Sequence, residues 1–584
     1  MLKEKPSIMN KIGRWGRKAV MVATAAAVIG TGALSWTGGA AQAAPGDPVL
    51  APTIKEFKKS SVSTYVLMEN GDLYGWGSNL WYTDKLSTLG QGNISTANYA
   101  IPIKILSGVK EFRTPGHNNI ALMKDGTLMY WGRASAATPY AGKTEPVLTP
   151  TKIDSSVKFE KMLGSSNNEF AVLLQDSQGD LYGFGQNGSG SVGSKSAGLV
   201  TPTLFEEAKK GGLLDPNKTD ILIAHVGVYY SLFYTKDKDT AGAYHLYYKG
   251  EALTDTNGVR TNAMDTMIDL KTSSVMPVAL KNDIAAGQID DLISVNAAVL
   301  VLNKQGVLYA SAPQSLSVGK GLYEAYPMSV LTTNVKSISR YSYTTKAGVT
   351  NIFGEVAYTL GTAGDLATPT KSYLTRVSPI TVPTGMIMIT GFEVFGLTDG
   401  KTLQLAGRGE FGMLGDGNTA VHFSGLKDVA ITKSYLQAEY DKAATYGNLR
   451  KATKSSLTPY QQRINTANTV LQTDQAAATQ TAINTAAESL YAARQALVLA
   501  PKDGVYTKLG TQLTYYTPDQ FNSMSLLKKS KLIDKLAAGS GTLTLIDGNQ
   551  YANLADLKAQ RLAKNAMKDY TAGLVDDTKY TPAQ

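Results

Sequence analysis

The stretch Gly71-Asp-Leu-Tyr-Gly-Trp-Gly77 decides how the fold of this chain is interpreted. The preceding Asn70 forms an Asn-Gly pair with Gly71, and both residues tolerate the positive φ that tight hairpin turns require. One apolar run precedes this pair and another follows it, as expected for two antiparallel strands. The stretch therefore predicts a hairpin, with Gly-Trp-Gly in its second strand, and does not by itself mark a ligand site.

The same hairpin pattern recurs along the chain. Gly126 to Gly132, Gly179 to Gly185 and Gly348 to Gly354 repeat the spacing of Gly71 to Gly77, and three further copies are weaker or longer. The turn glycines of the seven units are Gly71, Gly126, Gly179, Gly242, Gly306, Gly348 and Gly400. Units of short strands repeated about every 50 residues predict a β-propeller, because one blade cannot bury both faces of its sheet.

A second short segment repeats ahead of the hairpins. It reads TIKEF at 53–57 and SGVKEF at 107–112, and its last copy, SGLKDV at 424–429, has no hairpin after it. A ring must cover its sheet edges. We therefore expect residues 424–429 to close the ring by pairing between the first and last blades.

The loops after the hairpins share a spacing of glycines. Gly185-Gln-Asn-Gly-Ser-Gly-Ser-Val-Gly193 matches Gly407 to Gly415, and residues 89–93 form a looser copy. The repeats resemble the regulator-of-chromosome-condensation repeat family, which implies an all-β seven-bladed propeller over residues 52–431. That family includes chromatin-binding proteins, exchange factors for a small GTPase and secreted protein inhibitors, so the resemblance implies no single function.

After residue 431 the hydrophobic period changes to that of amphipathic helices. Residues 432–500 resemble the FIVAR module, a small helical bundle of Gram-positive surface proteins and carbohydrate-active enzymes. A Thr-Pro pair, which favours a helix start, recurs at Thr458-Pro459, Thr517-Pro518 and Thr581-Pro582. We therefore expect all-α small helical-bundle modules, with a second module and the start of a third in residues 501–584.

The first 43 residues resemble a secretory signal peptide, and residues 44–51 a linker. A basic start precedes an Ala-rich apolar run, and Ala41-Gln42-Ala43 suits a signal peptidase. The alternative is a retained membrane anchor. Removal of this segment takes away six positive charges and one negative charge, so the net charge falls from +10 to +5. That mild charge does not indicate nucleic-acid binding, and the chain contains no cysteine.

No motif indicates catalysis, a cofactor or a metal site. Gly400-Lys401-Thr402 lacks the earlier glycine of a phosphate-binding loop, and the segment from Asp237 to Gly242 lacks the ligands of a calcium loop. The four histidines, including His245, have no sequence neighbours typical of a metal pair or catalytic triad. We therefore expect a non-enzyme without a cofactor.

The ligand-binding candidates are aromatic residues in long connections. Trp81 and Tyr82 lie in a connection longer than its repeat partners, and Tyr323 and Tyr326 follow the fifth hairpin. Exposed aromatic side chains in surface loops are typical contacts for a sugar or a protein. The alternative is that Trp81 folds back over its own blade.

Three functions are open at this point. The first is a secreted, cell-wall-associated binding protein, with the propeller as recognition head for cell-wall polysaccharide or an extracellular protein and the helical modules as stalk. It involves no nucleic acid and no stable membrane insertion after signal cleavage. The second is a secreted protein inhibitor of an extracellular enzyme. The third is the non-catalytic part of a larger carbohydrate-active enzyme.

Overall fold

The computed structural model describes residues 52–60, 62–79, 88–92, 98–115, 118–133, 145–165, 170–187, 190–193, 199–227, 230–238, 243–250, 263–295, 298–311, 328–339, 342–352, 378–383, 385–391, 394–420, 422–446, 452, 454–497, 502–547, 550–553, 579 and 581–583. The predicted signal peptide and linker lie outside these residues. By their contacts the chain divides into two compact units: 46–448 with 460–494, and the remainder.

Within the described residues of the first unit, seven four-stranded antiparallel sheets follow one another, each built from consecutive strands. We number them sheets one to seven. Their strands are β1 (Ile54–Lys59), β2 (Ser63–Met68), β3 (Leu73–Ser78), β4 (Asn98–Leu106); β5 (Val109–Arg113), β6 (Asn118–Met123), β7 (Leu128–Gly132), β8 (Val147–Lys152); β9 (Phe159–Ser165), β10 (Ala171–Asp176), β11 (Leu181–Gly185), β12 (Leu199–Leu204); β13 (Thr219–Val226), β14 (Tyr230–Asp237), β15 (Tyr244–Gly250), β16 (Ala263–Asp269); β17 (Ile289–Val295), β18 (Ala298–Asn303), β19 (Leu308–Ser311), β20 (Met328–Thr332); β21 (Val335–Ser339), β22 (Ser342–Thr345), β23 (Val349–Ile352), β24 (Ser378–Thr381); β25 (Ile387–Gly391), β26 (Val394–Thr398), β27 (Leu403–Gly409) and β28 (His422–Asp428).

The predicted hairpin is the pair of β2 and β3. Leu67 pairs with Leu73, and Gly71 in the turn between them has φ of 94°, a conformation that favours glycine. Trp76 is fully buried in β3. The hairpin prediction is therefore confirmed, and the Gly-Trp-Gly segment serves the core.

Neighbouring sheets share hydrophobic cores. Tyr65 of sheet one packs on Phe112 of sheet two, with ring centroids 5.0 Å apart. One further cluster joins the fourth sheet to the fifth, and another joins Trp76 of the first sheet to Leu405 of the seventh. The first and last sheets are therefore in contact, as in a propeller. The first strands lie side by side in the pairs β5 and β9, β9 and β13, β13 and β17, β17 and β21, and β25 and β1.

Residues 424–429 do not form the surplus closing strand that the sequence suggested. Strand β28 is the ordinary fourth strand of the seventh sheet and pairs with β27. The repeated segment misled the prediction because it spans a junction: β4 ends at Leu106, and β5 begins at Val109. In the seventh unit the similar letters belong to a fourth strand.

Four α-helices are described in the first unit: α1 (Val278–Ala285), between the fourth and fifth sheets, α2 (Ser434–Tyr446), α3 (Lys454–Gln472) and α4 (Gln480–Gln495). The first turns of α3 extend beyond the first unit. Helices are thus present in the region predicted to be helical. Helix α3 begins at Lys454 with Pro459 inside it, so Thr458 is not its cap as predicted. A proline close to a helix start removes few backbone hydrogen bonds, and the helix continues through it.

Buried polar side chains of α4 contact α2 and the segments next to the last two strands of the seventh sheet. The backbone N–H of Ile431 donates to Gln480 Oε1 at 2.7 Å, and Gln480 Nε2 donates to the Tyr435 hydroxyl at 2.8 Å. Asn484 Nδ2 donates to the carbonyl of Lys401 at 3.3 Å. Helix α4 therefore has hydrogen-bond partners in α2 and in the segments next to β27 and β28, whereas the independence of the helices as a module stays a prediction.

The predicted second helical module is wrong, because the second unit contains a mixed five-stranded sheet. Its elements are β29 (Gly504–Leu509), β30 (Gln512–Tyr516), α5 (Pro518–Asn522), α6 (Leu526–Ala538), β31 (Thr542–Asp547), β32 (Gln550–Asn553) and β33 (Thr581–Pro582). Of the Thr-Pro pairs, Thr517 does cap a helix, with a reciprocal bond to Gln520. Thr581-Pro582 instead forms a short parallel strand beside β30.

Candidate interaction surface

The four predicted ligand-binding residues, Trp81, Tyr82, Tyr323 and Tyr326, lie outside the described residues. The strands around them are described. Trp81 and Tyr82 belong to the connection between the end of β3 at Ser78 and the start of β4 at Asn98. Tyr323 and Tyr326 belong to the corresponding connection between β19 and β20. Both connections therefore leave the third strand of a sheet and return to the fourth.

The two ends of the sheets differ in the connections that the third strand makes. Second and third strands are joined by tight turns, such as the one from Met68 to Leu73, and we call this the short-turn end. Third and fourth strands are joined by long segments at the opposite end, which we call the long-loop end. Long connections there follow β3, β7, β11, β15, β19, β23 and β27. Loops held by a rigid scaffold commonly carry binding residues.

The described parts of the long connections fasten neighbouring sheets together. The carbonyl of Thr88 accepts hydrogen bonds from Trp131 Nε1 at 3.1 Å and Asn119 Nδ2 at 2.9 Å, both in sheet two. The carbonyl of Met413 accepts in the same way from Trp76 and Thr64 of sheet one. Thr88 and Met413 thus hold their connections to the core of the neighbouring sheet.

A charged cluster lies on the first strands near the long-loop end. Arg113, the last residue of β5, places Nη1 3.1 Å from Glu56 Oε2 and Nη2 3.5 Å from Glu111 Oε2. Arg113 Nη2 also donates to the carbonyl of Met162 at 3.3 Å, and the N–H of Met162 donates to Glu111 at 3.1 Å. One guanidinium therefore joins the first three sheets. We call Glu56, Lys58, Glu111 and Arg113 the Arg113 cluster.

The Arg113 cluster carries two positive and two negative charges and is partly exposed. Lys58 Nζ lies 3.6 Å from Glu56, and its side chain is 34% exposed. Close packing lowers the pKa of Lys58 below its ordinary value, and the charge of Arg113 lowers it further. Fixed, partly exposed charges of both signs can pair with polar side chains of a partner.

The sequence contains a signal for the Arg113 cluster to which no function was assigned. Glu56 and Glu111 are the glutamates of the repeated Lys-Glu-Phe segments, whose sequence pattern indicates only strands. Their separation along the chain hides that Arg113 lies between them. Glu56, Glu111 and Arg113 come together because the first strands of sheets one and two lie close to each other.

His245 has partners that the sequence did not show. Its Nδ1 lies 2.7 Å from Asp269 Oδ2, and its Nε2 lies 3.3 Å from Asp237 Oδ2, on the strands to either side. Its ring stacks on Tyr247, with centroids 5.3 Å apart. Burial raises the pKa of Tyr247 to about 12, and the two aspartates add to this shift. Both imidazole nitrogens are engaged, so the group ties three strands of one sheet.

Of the two motifs rejected from the sequence, the one around Gly400 is a turn in the structure, and residues 239–242 of the other lie outside the described residues. Asp399 Oδ1 accepts hydrogen bonds from the N–H groups of Lys401 and Thr402 at 2.8 and 2.7 Å, which closes the turn around Gly400. Asp237, the first residue of the calcium-like segment, contacts His245. Within the described ranges no group of three acidic or histidine side chains could hold a metal ion. Among the helices in those ranges, none has the length and apolar character needed to span a membrane.

No protein-family model matches the chain. Among curated proteins, it is 31% identical over 125 residues to the ultraviolet-B receptor UVR8 of Arabidopsis thaliana. This match covers 21% of the chain and 27% of the receptor, so the chain spans about a quarter of the length of that relative.

Several solved structures are similar at low identity. Human WBSCR16 is 12% identical with a TM-score of 0.41, covering 57% of this chain and 84% of that protein. Yeast RCC1 (Prp20), solved bound to Kap60, is 15% identical with a TM-score of 0.39, covering 58% and 77%. Prp20p of Saccharomyces cerevisiae, described with its binding to Gsp1p and histones, is 14% identical with a TM-score of 0.33, covering 64% and 76%.

The four-stranded antiparallel sheets and the match to UVR8 support a propeller-like fold of the RCC1 type. The resemblance of residues 432–500 to FIVAR modules has no support in these comparisons.

Proposed function

We propose that the seven sheets close into a seven-bladed ring, which serves as the protein-binding head of a secreted protein at the cell surface. The shared core of sheets one and seven supports closure. The chemistry of binding requires no catalytic residue. Residues 1–43, with the features of a signal peptide, support an extracellular location.

The difference between the two ends of the sheets carries this proposal. At the long-loop end every third-to-fourth connection is long, whereas at the short-turn end the second and third strands are joined by short turns, and only the connections from β12 to β13 and from β16 to β17 are long. The Arg113 cluster lies near the same long-loop end and offers charged groups. We infer that a partner contacts the long-loop end, where the candidates Trp81, Tyr82, Tyr323 and Tyr326 also belong by connectivity.

A protein partner is favoured over cell-wall polysaccharide. The Arg113 cluster holds charges of both signs in fixed positions, and such an arrangement suits side chains of a protein, whose complementary charges set specificity. A neutral polysaccharide would gain little from it. Proteins with similar folds are described bound to Kap60 and binding Gsp1p and histones, which is consistent with a protein ligand here.

Site-specific photo-crosslinking tests the proposal. A photoreactive amino acid at exposed Thr419, in the long connection after β27, should crosslink to a polypeptide from the producing organism's extracellular protein fraction. The matched control is exposed Asp125, in a tight turn at the other end, which should give no crosslink. Crosslinking from Asp125 but not from Thr419 would place the binding surface at the short-turn end and contradict the proposal. Retention on purified cell-wall polysaccharide without a crosslinked polypeptide would overturn the protein partner.

A further inference from the structure

The second unit exposes two adjacent leucines. Leu526 is 86% exposed and Leu527 is 65% exposed, at the first two positions of α6. Among large hydrophobic residues in the described part of the chain, no other neighbouring pair is exposed. Single exposed leucines are ordinary, whereas paired ones form a small apolar surface. We call Leu526 and Leu527 with Lys528 and Lys531 the α6 tip.

The leucines are not needed to hold the helix in place. Ser525 caps α6, accepting a hydrogen bond from the N–H of Lys528 at 3.3 Å. The helix packs on the sheet further along, where Leu536 is buried against a cluster that contains Val505 and Leu543. Helical side chains lean toward the N-terminus of their helix, so first-turn leucines extend away from that buried contact.

The charges around the leucines do not serve helix stability either. The first turn of α6 contains no acidic residue, and Lys528 and Lys529 lie within it. Positive charge at a helix N-terminus opposes the helix dipole. Lys529 lies over the ring of Phe521 at 5.0 Å, whereas exposed Lys528 and Lys531 have no ion pair among the described residues.

We propose that the α6 tip docks on an anionic phospholipid surface. Leu526 and Leu527 would enter the boundary between headgroups and acyl chains, while the long side chains of Lys528 and Lys531 reach lipid phosphates. The positive charges beside an apolar pair match the two layers of such a surface, and an apolar protein groove would gain nothing from the lysines. Two leucines bury little area, so docking is reversible and weaker than a spanning anchor.

Vesicle flotation with the full secreted chain tests the proposal. The protein should float with vesicles of equal parts phosphatidylcholine and phosphatidylglycerol, and about tenfold less with phosphatidylcholine alone. Leu526→Ser with Leu527→Ser should lower partitioning by about tenfold or more. The matched control, Leu222→Ser, changes a 48% exposed leucine of β13 and should leave partitioning unchanged.

The charge contribution is tested by salt. Lys528→Gln with Lys531→Gln should weaken partitioning and reduce its fall between about 0.1 M and 0.5 M salt, because screening acts on the charges that were removed. Circular dichroism of each variant shows whether the fold is retained. If one of these variants unfolds, a separate variant, Leu527→Trp, is tested instead. Its tryptophan emission should shift to the blue when anionic vesicles are added.

Two results would overturn the proposal. They are absence of flotation by the unaltered chain and unchanged flotation after loss of both leucines. A chain that binds soluble polyphosphate but does not float would have a free polyanion as its ligand. None of these results bears on the propeller, so failure here is distinct from failure of the proposed protein-binding head.

Discussion

The indole Nε1 of Trp76 donates a hydrogen bond to the main-chain carbonyl of Met413 at 2.9 Å and so joins the first sheet to the seventh. The hydroxyl of Thr64 donates to the same carbonyl at 2.9 Å. Trp131 makes the equivalent bond to Thr88, between the second sheet and the first. The junction between the ends of the repeat region thus uses the same bond as an internal junction.

Removing the donor at this junction should lower stability. Trp76→Phe keeps most of the ring but removes the N–H, and we expect a loss of about 1 kcal/mol in the free energy of unfolding. Adding Thr64→Val leaves the buried carbonyl of Met413 without either donor, so the double variant should lose about 2–4 kcal/mol. Urea unfolding measures both. Trp131→Phe is the internal control, and a double variant as stable as the unaltered protein would contradict a stabilised junction.

Two glycines should respond differently to alanine. At Gly183 an added Cβ would lie 1.7 Å from the carbonyl oxygen of Val192, so Gly183→Ala should cost about 4 kcal/mol or prevent folding. At Gly348 no atom lies within 4 Å of an added Cβ, and the cost comes from its φ of 82° alone. Gly348→Ala should therefore cost about 1 kcal/mol. Thermal melting compares the two, and equal losses would contradict the close approach at Gly183.

The hairpins could be predicted because their signal is local. An Asn-Gly or Asp-Gly pair between apolar runs determines a turn and its two strands whatever surrounds them. The junction at Met413 could not be predicted, because its carbonyl meets Trp76 only after the sheets assemble. The Arg113 cluster is hidden for the same reason, since its charges come from separate first strands.

The error in the second unit had a different cause. The Thr-Pro repeats suggested another helical module, and one of them does cap a short helix. The residues before it, Val505 to Leu509 and Gln512 to Tyr516, are rich in β-branched and aromatic residues and flank Gly510. Those are the signals of a hairpin. Local composition therefore indicates the structure of this segment better than the repeated Thr-Pro motif does.

Asp291 should make stability depend on pH. Burial raises the pKa of this carboxyl to about 6, against 3.8 in its ordinary state, although the N–H of Leu292 opposes the shift. The folded protein therefore holds the proton more tightly than the unfolded chain. The corresponding stabilisation is complete below about pH 4 and lost as pH rises through about 6.

Replacing Asp291 by asparagine removes the cost of ionisation. Asp291→Asn should raise the free energy of unfolding by about 1–3 kcal/mol at pH 8 and change it little at pH 4. Urea unfolding across this range measures the effect. Asp290→Asn alters the exposed neighbour and should change stability less at every pH. A larger gain at pH 4 than at pH 8 would show that the sign is wrong.

The buried ion pair between α2 and α4 should respond differently to single and paired substitution. Arg494 Nε lies 2.6 Å from Glu439 Oε1, and both side chains are fully buried. Glu439→Leu removes the carboxylate that balances the buried guanidinium charge and should cost about 3–5 kcal/mol. Glu439→Leu with Arg494→Met removes both charges and should cost much less. Urea unfolding measures both losses, and equal losses in the two proteins would show that packing, not the loss of the opposite charge, dominates.

The aromatic pair in the connection between β3 and β4 provides the direct test of binding at the long-loop end. Trp81→Ala with Tyr82→Ala should leave the melting temperature unchanged, because neither residue belongs to the repeated hairpin. Binding to the crosslinked protein partner should weaken by about 1–3 kcal/mol if the pair supplies contact residues. Trp76→Ala is the control, since loss of that fully buried ring should cost about 3–5 kcal/mol of stability. Thermal melting and a titration with the partner are measured on both proteins. A large fall in melting temperature for the Trp81 and Tyr82 variant would favour the alternative that Trp81 folds back over its own blade, whereas unchanged melting with unchanged affinity would remove this pair from the binding surface.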